Sequence, residues 1–165
     1  MPLTPFHLGP GLLVKAAAPR QFSMAAYSLA QVVIDLESGY YILRGEYPVH
    51  RQAHTLVLGG LIGMLCGLVA SRIGRRWARP RDVIPETLAA EFRMPVAVVS
   101  GIFGGIFHSV LDGIMHEDIH PFRPFTDANP LLELVSIRVL YLFCIITGLV
   151  GAVLLLARER QQRRF

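Results

Sequence analysis

Apolar positions in this chain fall in long blocks, not in the narrow stripes of a soluble amphipathic domain. Residues 54–71 (HTLVLGGLIGMLCGLVAS), 95–115 and 134–157 (LVSIRVLYLFCIITGLVGAVLLLA) are the clearest blocks. Crossing a bilayer as a helix takes roughly 20 such residues. The first of these blocks reads as a helix that starts just after Pro48, because proline suits a first-turn position, so the span becomes 49–71. A weaker block, 22–37, is interrupted by Tyr27, Ser28 and Gln31 and reads as a span packed against the others. Leu8–Ala18 is too short to span, and its Gly9-Pro10-Gly11 start predicts a bent re-entrant piece or a surface helix. The expected fold class is therefore all-α: one integral-membrane helical bundle of about four transmembrane helices plus a short N-terminal segment.

Composition agrees with this frame. The 165 residues are 53% hydrophobic and only 17% charged, and mean hydropathy is +0.47, too apolar for an ordinary soluble domain. Cys66 and Cys144 both lie inside apolar blocks, which points to neither a disulfide nor a thiolate metal knuckle. The net charge of +4 comes from arginines flanking the apolar blocks, so it reads as membrane topology and no nucleic-acid partner is expected. MPLTPFHLGP lacks the basic and apolar regions of a signal peptide, and no cleavage is expected. Arg72, Arg75, Arg76, Arg79, Arg81 and Arg93 fill the connection 72–94, and Arg158, Arg160, Arg163 and Arg164 fill the tail 158–165. By the positive-inside rule both are cytoplasmic, giving a multi-pass protein of the cytoplasmic (inner) membrane with its C-terminus inside and, most simply, both ends inside. Gly59, Gly63 and Gly67, with Gly101, Gly104 and Gly105, read as surfaces for close helix packing.

Candidate chemistry enters with FHSVLDGIMHEDIH, residues 107–120, where histidines and acids end an apolar run. Ionisable residues in such a place are costly and point to a functional site. At about 1.5 Å per residue, His108 and Asp112 lie roughly 20 and 26 Å from Pro95, in the outer part of the bilayer. Asp35 and Glu37 end the first span at the same level, and His50 and His54 begin the second. The His50/His54 and His108/Asp112 spacings put each pair on one helix face, where the two side chains can share an ion. His108 and His116 are too far apart along a helix for one ion, so His116 implies a second ion or a looser role. It reads equally as a solvated loop residue, as does His120. Nitrogen and oxygen donors without thiolates suit zinc, manganese or iron(II).

The order of these motifs resembles the bacterial membrane-bound, metal-dependent hydrolase family of the YdjM/YbcI type, described as LexA-regulated inner-membrane proteins. The residues concerned are His7 in TPFH, Asp35 and Glu37 in IDLE, His50, Arg51, His54 and Thr55 in HRQAHT, and His108 and Asp112 in HSVLD. More distantly it is similar to the helical zinc-dependent phospholipase C and P1-type nuclease group. Glu37 stands where the family has Asp, and HRQAHT lacks the family's glycine. The resemblance implies His7, Asp35, His50, His54, His108 and Asp112 as metal ligands and Glu37 as bridging ligand or general base. Arg51 and Arg138 become contacts for an anionic substrate group, with pairing to Asp112 as the other role for Arg138.

The function this predicts is metal-dependent hydrolysis, with a divalent metal, zinc first, at the outer membrane face. The substrate is a lipid or lipid-linked phosphoester reached from the bilayer. The rival readings are a metal-ion transporter or sensor, a haem protein using His54 and His108, and a non-catalytic membrane scaffold.

Overall fold

The computed structural model describes residues 4–77 and 86–162, and all of its regular structure there is helical. The helices are α1 (Thr4–Ala17), α2 (Met24–Arg44), α3 (Leu56–Trp77), α4 (Glu86–Glu91), α5 (Met94–Met115) and α6 (Ile137–Gln162), with a 3-10 turn at Gln52–His54 before α3. Local chemistry sets several of these ends. The hydroxyl of Ser23 accepts from Ala26 N–H and caps α2. Gly45, at φ 65°, closes α2 by donating to Ile42 O while Glu46 donates to Tyr41 O, a Schellman pair that needs the left-handed residue. Asn129 donates to the carbonyls of Gly113 and His116 and finishes α5.

Two expectations change. The bent or re-entrant reading of Gly9-Pro10-Gly11 is not confirmed: α1 is helical through it, with Pro10 inside. No helix starts at Val49 either: 49–51 is irregular, and the helix proper begins at Leu56. The cause is competition for backbone donors. Asp118 Oδ2 accepts from Val49 and His50 N–H, Glu37 Oε2 accepts from Arg51 and Ala53 N–H, and Pro121 O accepts from Leu56 N–H. These groups are thereby taken from the helix that the sequence predicts.

Helices α3 and α5 form an antiparallel pair on a seam of small residues. Gly59 faces Gly105, Gly63 faces Gly101, and Gly67 faces Ala97, each at a four-residue step along its helix. A Cβ on Gly63 or Gly101 would overlap the opposite glycine's carbonyl. Within lipid, where water does not drive helices together, such backbone approach is a main source of packing energy. The antiparallel seam brings the start of α3 to the end of α5, where Ser109 donates to Thr55 O. Helix α2 runs parallel to α5: Ser23 N–H donates to Ser100, and Gln31 donates to Gly104 O. Helix α1 lies along α6, with Gly9 against Cys144 and Gly151 against Leu12 and Leu13.

The far end of the bundle is fastened by a nearly buried ion pair, Lys15 Nζ to Glu91 Oε1 at 2.7 Å. Lys15 also donates to Pro19 O and Phe22 O, and the second Glu91 oxygen accepts from Ala25 N–H, so both charges are fully partnered. Helix α1 thus begins at the end of the bundle where α5 finishes and runs back to the other, while α6 carries the C-terminus to that other end. The first described residues and the last lie at opposite ends, unlike the simplest topology expected.

Among the described residues three helices, α3, α5 and α6, are long and apolar enough to cross a membrane. Helix α2 is not among them, so the expected fourth span is not confirmed. Its Gln31, Asp35 and Glu37 face partners in the bundle instead of lipid. On α6 the exposed residues include Leu142, Phe143, Ile146, Leu149, Val153 and Leu156, a face that needs an apolar solvent. The arginine-bearing connection is partly helical, since α3 continues through Arg72, Arg75 and Arg76. Arg79, Arg81, Arg163 and Arg164 fall outside the described residues.

Gly101→Val is expected to cost about 1–3 kcal/mol, the usual range for overpacking. Gly39 on α2 has nothing within 4 Å of an added Cβ. Gly39→Ala should therefore be neutral or stabilise by up to about 1 kcal/mol. Thermal unfolding of both variants in detergent checks the pair, and equal melting temperatures would contradict the seam.

Candidate metal centre

Four elements converge where α5 ends. His108 and Asp112 come from α5, Asp35 from α2, His54 from the 3-10 turn and His7 from α1. His54, His108 and Asp112 are completely buried, and His7 is 2% exposed. The separations fit one ion. His108 Nε2 lies 3.2 Å from Asp112 Oδ2 and 3.2 Å from Asp35 Oδ1. His54 Nε2 lies 3.7 and 3.8 Å from the same two oxygens. A tetrahedral zinc with bonds of 2.0–2.1 Å would set its donors about 3.3 Å apart. His7 Nε2 sits 3.2 Å from the other oxygen of Asp112.

The protonation pattern of the rings follows from their outer partners. Nδ1 of His108 lies 2.7 Å from Gln31 Oε1 and Nδ1 of His54 lies 3.4 Å from Glu37 Oε2. Each acceptor holds the Nδ1 proton and turns the Nε2 lone pair inward. Histidine ligands of metals carry this kind of outer-sphere acceptor almost without exception. Inside, His7 Nε2, His54 Nε2, His108 Nε2 and both Asp112 oxygens are buried without an aligned hydrogen bond. The N···O distances are short enough for ion pairs. Buried polar atoms are rarely left so, and a shared cation is the partner this donor set fits. The group Asp35, His54, His108 and Asp112 could thus bind a divalent metal.

A second group lies next to it. His50 Nδ1 is 2.8 Å from Asp118 Oδ1, and the His50 and His116 rings are 4.4 Å apart, centre to centre. His54 contacts His50 at 4.7 Å and His108 at 5.3 Å, so the rings of His116, His50, His54, His108 and His7 form a continuous row. Burial pushes the Asp118 carboxyl up, but hydrogen bonds from the His50 ring and the His50 and Val49 amides outweigh it and hold it below the usual range. Burial, reinforced by His50, lowers His116 and favours its neutral ring.

The structure brings His7, Asp35, His54, His108 and Asp112 into one group and puts His50 and His116 in the other. Glu37 stands behind His54, with Oε2 shared among that ring and two backbone amides. Arg51 is held by Glu46 at 3.1 Å and stacks 3.5 Å above the Tyr41 ring. Arg138 is exposed on the first turn of α6, and the ion-pair partners of Asp112 are histidines, so the Asp112–Arg138 pairing does not form. His120 turns to the Asp127 carbonyl at 2.6 Å. Gln31 and Asp118 were not recognisable as site residues. Gln31 was visible only as a polar interruption in an apolar block, and Asp118 only as one acid in HEDIH.

Gln31→Leu removes the acceptor that fixes His108. Divalent-ion affinity should fall about 10–100-fold, as for other outer-sphere losses. Stability should fall by about 1–3 kcal/mol from the stranded Nδ1–H. Competition titration with a chromophoric chelator reads the first effect, and unchanged affinity would remove Gln31 from the site.

No family profile, curated protein or solved structure matches this chain.

Proposed function

We propose that this chain is a membrane-bound, metal-dependent hydrolase acting on a lipid or lipid-linked phosphoester. The observation that carries the reading is the inner group: two imidazoles oriented from outside by Gln31 and Glu37, facing two carboxylates, one of them fully buried. Its metal ligands are Asp35, His54, His108 and Asp112, with His7 on the second Asp112 oxygen. The all-N/O donor set favours zinc, with manganese or iron(II) also suited. When bound, a divalent ion supplies Lewis acidity toward a phosphoryl oxygen and acidifies water.

The chain's own residues do the rest. Asp112 and Asp35 balance the ion's charge in a low-dielectric setting. Glu37 keeps His54 in its inward tautomer, a positioning role in place of the bridging-ligand or general-base role expected from sequence. Arg138 is the candidate guanidinium for a phosphate oxygen, supported by its exposure beside a cavity of about 650 Å³ that it shares with Met115 and Glu133. Arg51 holds the loop that carries His50. The group lies at one end of the bundle instead of half-way along it. Such a position suits a lipid headgroup better than the midplane site of a transporter.

The orientation is proposed from charge. Arg75 and Arg76 end α3, and Arg158 and Arg160 end α6, all at the end opposite the site. The positive-inside rule then puts these ends in the cytoplasm of a bacterial inner membrane and the site at its outer face.

The test is turnover of phosphomonoester and phosphodiester lipids in mixed micelles by the detergent-purified chain. Hydrolysis should disappear on chelation, return on adding zinc, and be undetectable in Asp112→Asn. Stoichiometric metal without turnover on any of these lipids would instead make the protein a metal carrier or sensor.

A further inference from the structure

We infer that His50, His116 and Asp118 form a second divalent-cation site, separate from the inner group and open to the substrate side. One donor atom from each of the three lies within 4.8 Å of the others. Two imidazoles and a carboxylate are the donor set of open zinc sites that leave a coordination position for an external ligand.

Three observations give the group the character of a built site. The two segments that carry it are fixed by bonds that do not depend on an ion. Asp118 Oδ2 ties down the amides of Val49 and His50, and His116 N–H closes α5 on Asp112 O at 2.9 Å. Asn129 secures the His116 carbonyl from the other side. Next, Nε2 of His116 is buried without a hydrogen bond, though the residue as a whole is half-buried. Finally, the His50 and His116 rings, from two segments far apart in sequence, approach to 4.4 Å at 31°. The bond from Asp118 to His50 Nδ1 holds those two side chains in register.

The site is distinct from the inner one in both ligands and access. The ion-pair partner of Asp118 is His50, at 2.8 Å, whereas His54 and His108 pair with Asp35 and Asp112. The inner histidines and Asp112 are sealed, whereas His50, His116 and Asp118 line a cavity of about 510 Å³. The apolar walls of that cavity are Ile42, Met115 and Leu132, and acids Glu117 and Glu133 stand beside the three donors. A bare anion entering would meet acidic side chains. A cation at the floor reverses the local sign and gives an amphiphile's anionic head a point to bind, with its apolar part against the walls. The inner site is then the deeply held one, and the outer site the exchangeable one that meets the ligand. This inference uses its own residues and survives if the hydrolase reading fails.

The test is elemental mass spectrometry of the full chain, purified in detergent and dialysed to equilibrium against buffer of fixed free zinc, with the zinc of the outer solution subtracted. Wild type should retain two equivalents. His116→Ala and Asp118→Asn should each retain one, and Asp112→Asn should keep only the weaker, outer equivalent. Outer variants that hold the wild-type count overturn the inference, as does a wild-type chain with one equivalent that only Asp112→Asn loses. In that second case the inner centre stands alone. One equivalent lost by the outer variants and kept by Asp112→Asn would support the outer site and refute the inner centre. Should the variants fail to fold, cobalt(II) titration of the wild type decides: two absorption steps are expected, and a single step overturns the second site.

Discussion

A carboxylate with no exposure at all, Asp112, is the constraint around which this bundle is arranged. An ionised carboxylate taken from water into an apolar interior loses several kcal/mol of solvation even after relaxation. That loss is tolerable only if cationic or hydrogen-bonding groups surround it. Here the neighbours are His7, His54 and His108, from three different segments. Only His108, one turn earlier on α5, reaches Asp112 within a single helix; His7 and His54 come from other segments. The cost of one charge thus dictates that α1, the turn before α3, and α5 meet at one point, and the rest of the fold makes that meeting possible.

Most of the remaining structure keeps those neighbours in position. The glycine seam lets α3 approach α5 at backbone contact, which brings Thr55, next to His54, within bonding reach of Ser109. The parallel run of α2 along α5 sets Gln31 beside His108 and Asp35 beside the same ring. Glu37 does two things with one oxygen: it gathers the amides of Arg51 and Ala53, and it accepts from His54. Asp118 repeats this economy for His50. In both cases a carboxylate that shapes a loop also engages the ring of a histidine in that loop.

The apolar blocks made α5 and α6 legible to within a few residues, because helix length and hydropathy are properties of a single segment. Two residues of the inner group stood out for another reason: His108 and Asp112 are a four-residue pair on a true helix. The same spacing misled at His50 and His54. His50 lies in irregular chain and His54 ends a 3-10 turn, not an α-helix, and they serve different groups. The donors that would have made a helix there are bound by Glu37, Asp118 and Pro121, from segments 14–69 residues away in sequence. Contacts of that kind depend on how helices register against each other, which periodicity within one segment does not encode. Gln31 as a partner for His108, 77 positions away, was hidden for the same reason.

The position of α1 has a consequence for biogenesis. His7 is made before every other residue of the inner group, and the helix that carries it lies chiefly against α6, which follows them all in the chain. A nascent chain that stops short of α6 has the other residues of the inner group in hand but lacks the surface on which α1 rests. The seat of His7 beside Asp112 is therefore completed only after α6 has been made, so the order of translation itself withholds closure of the inner group from chains that stop before it.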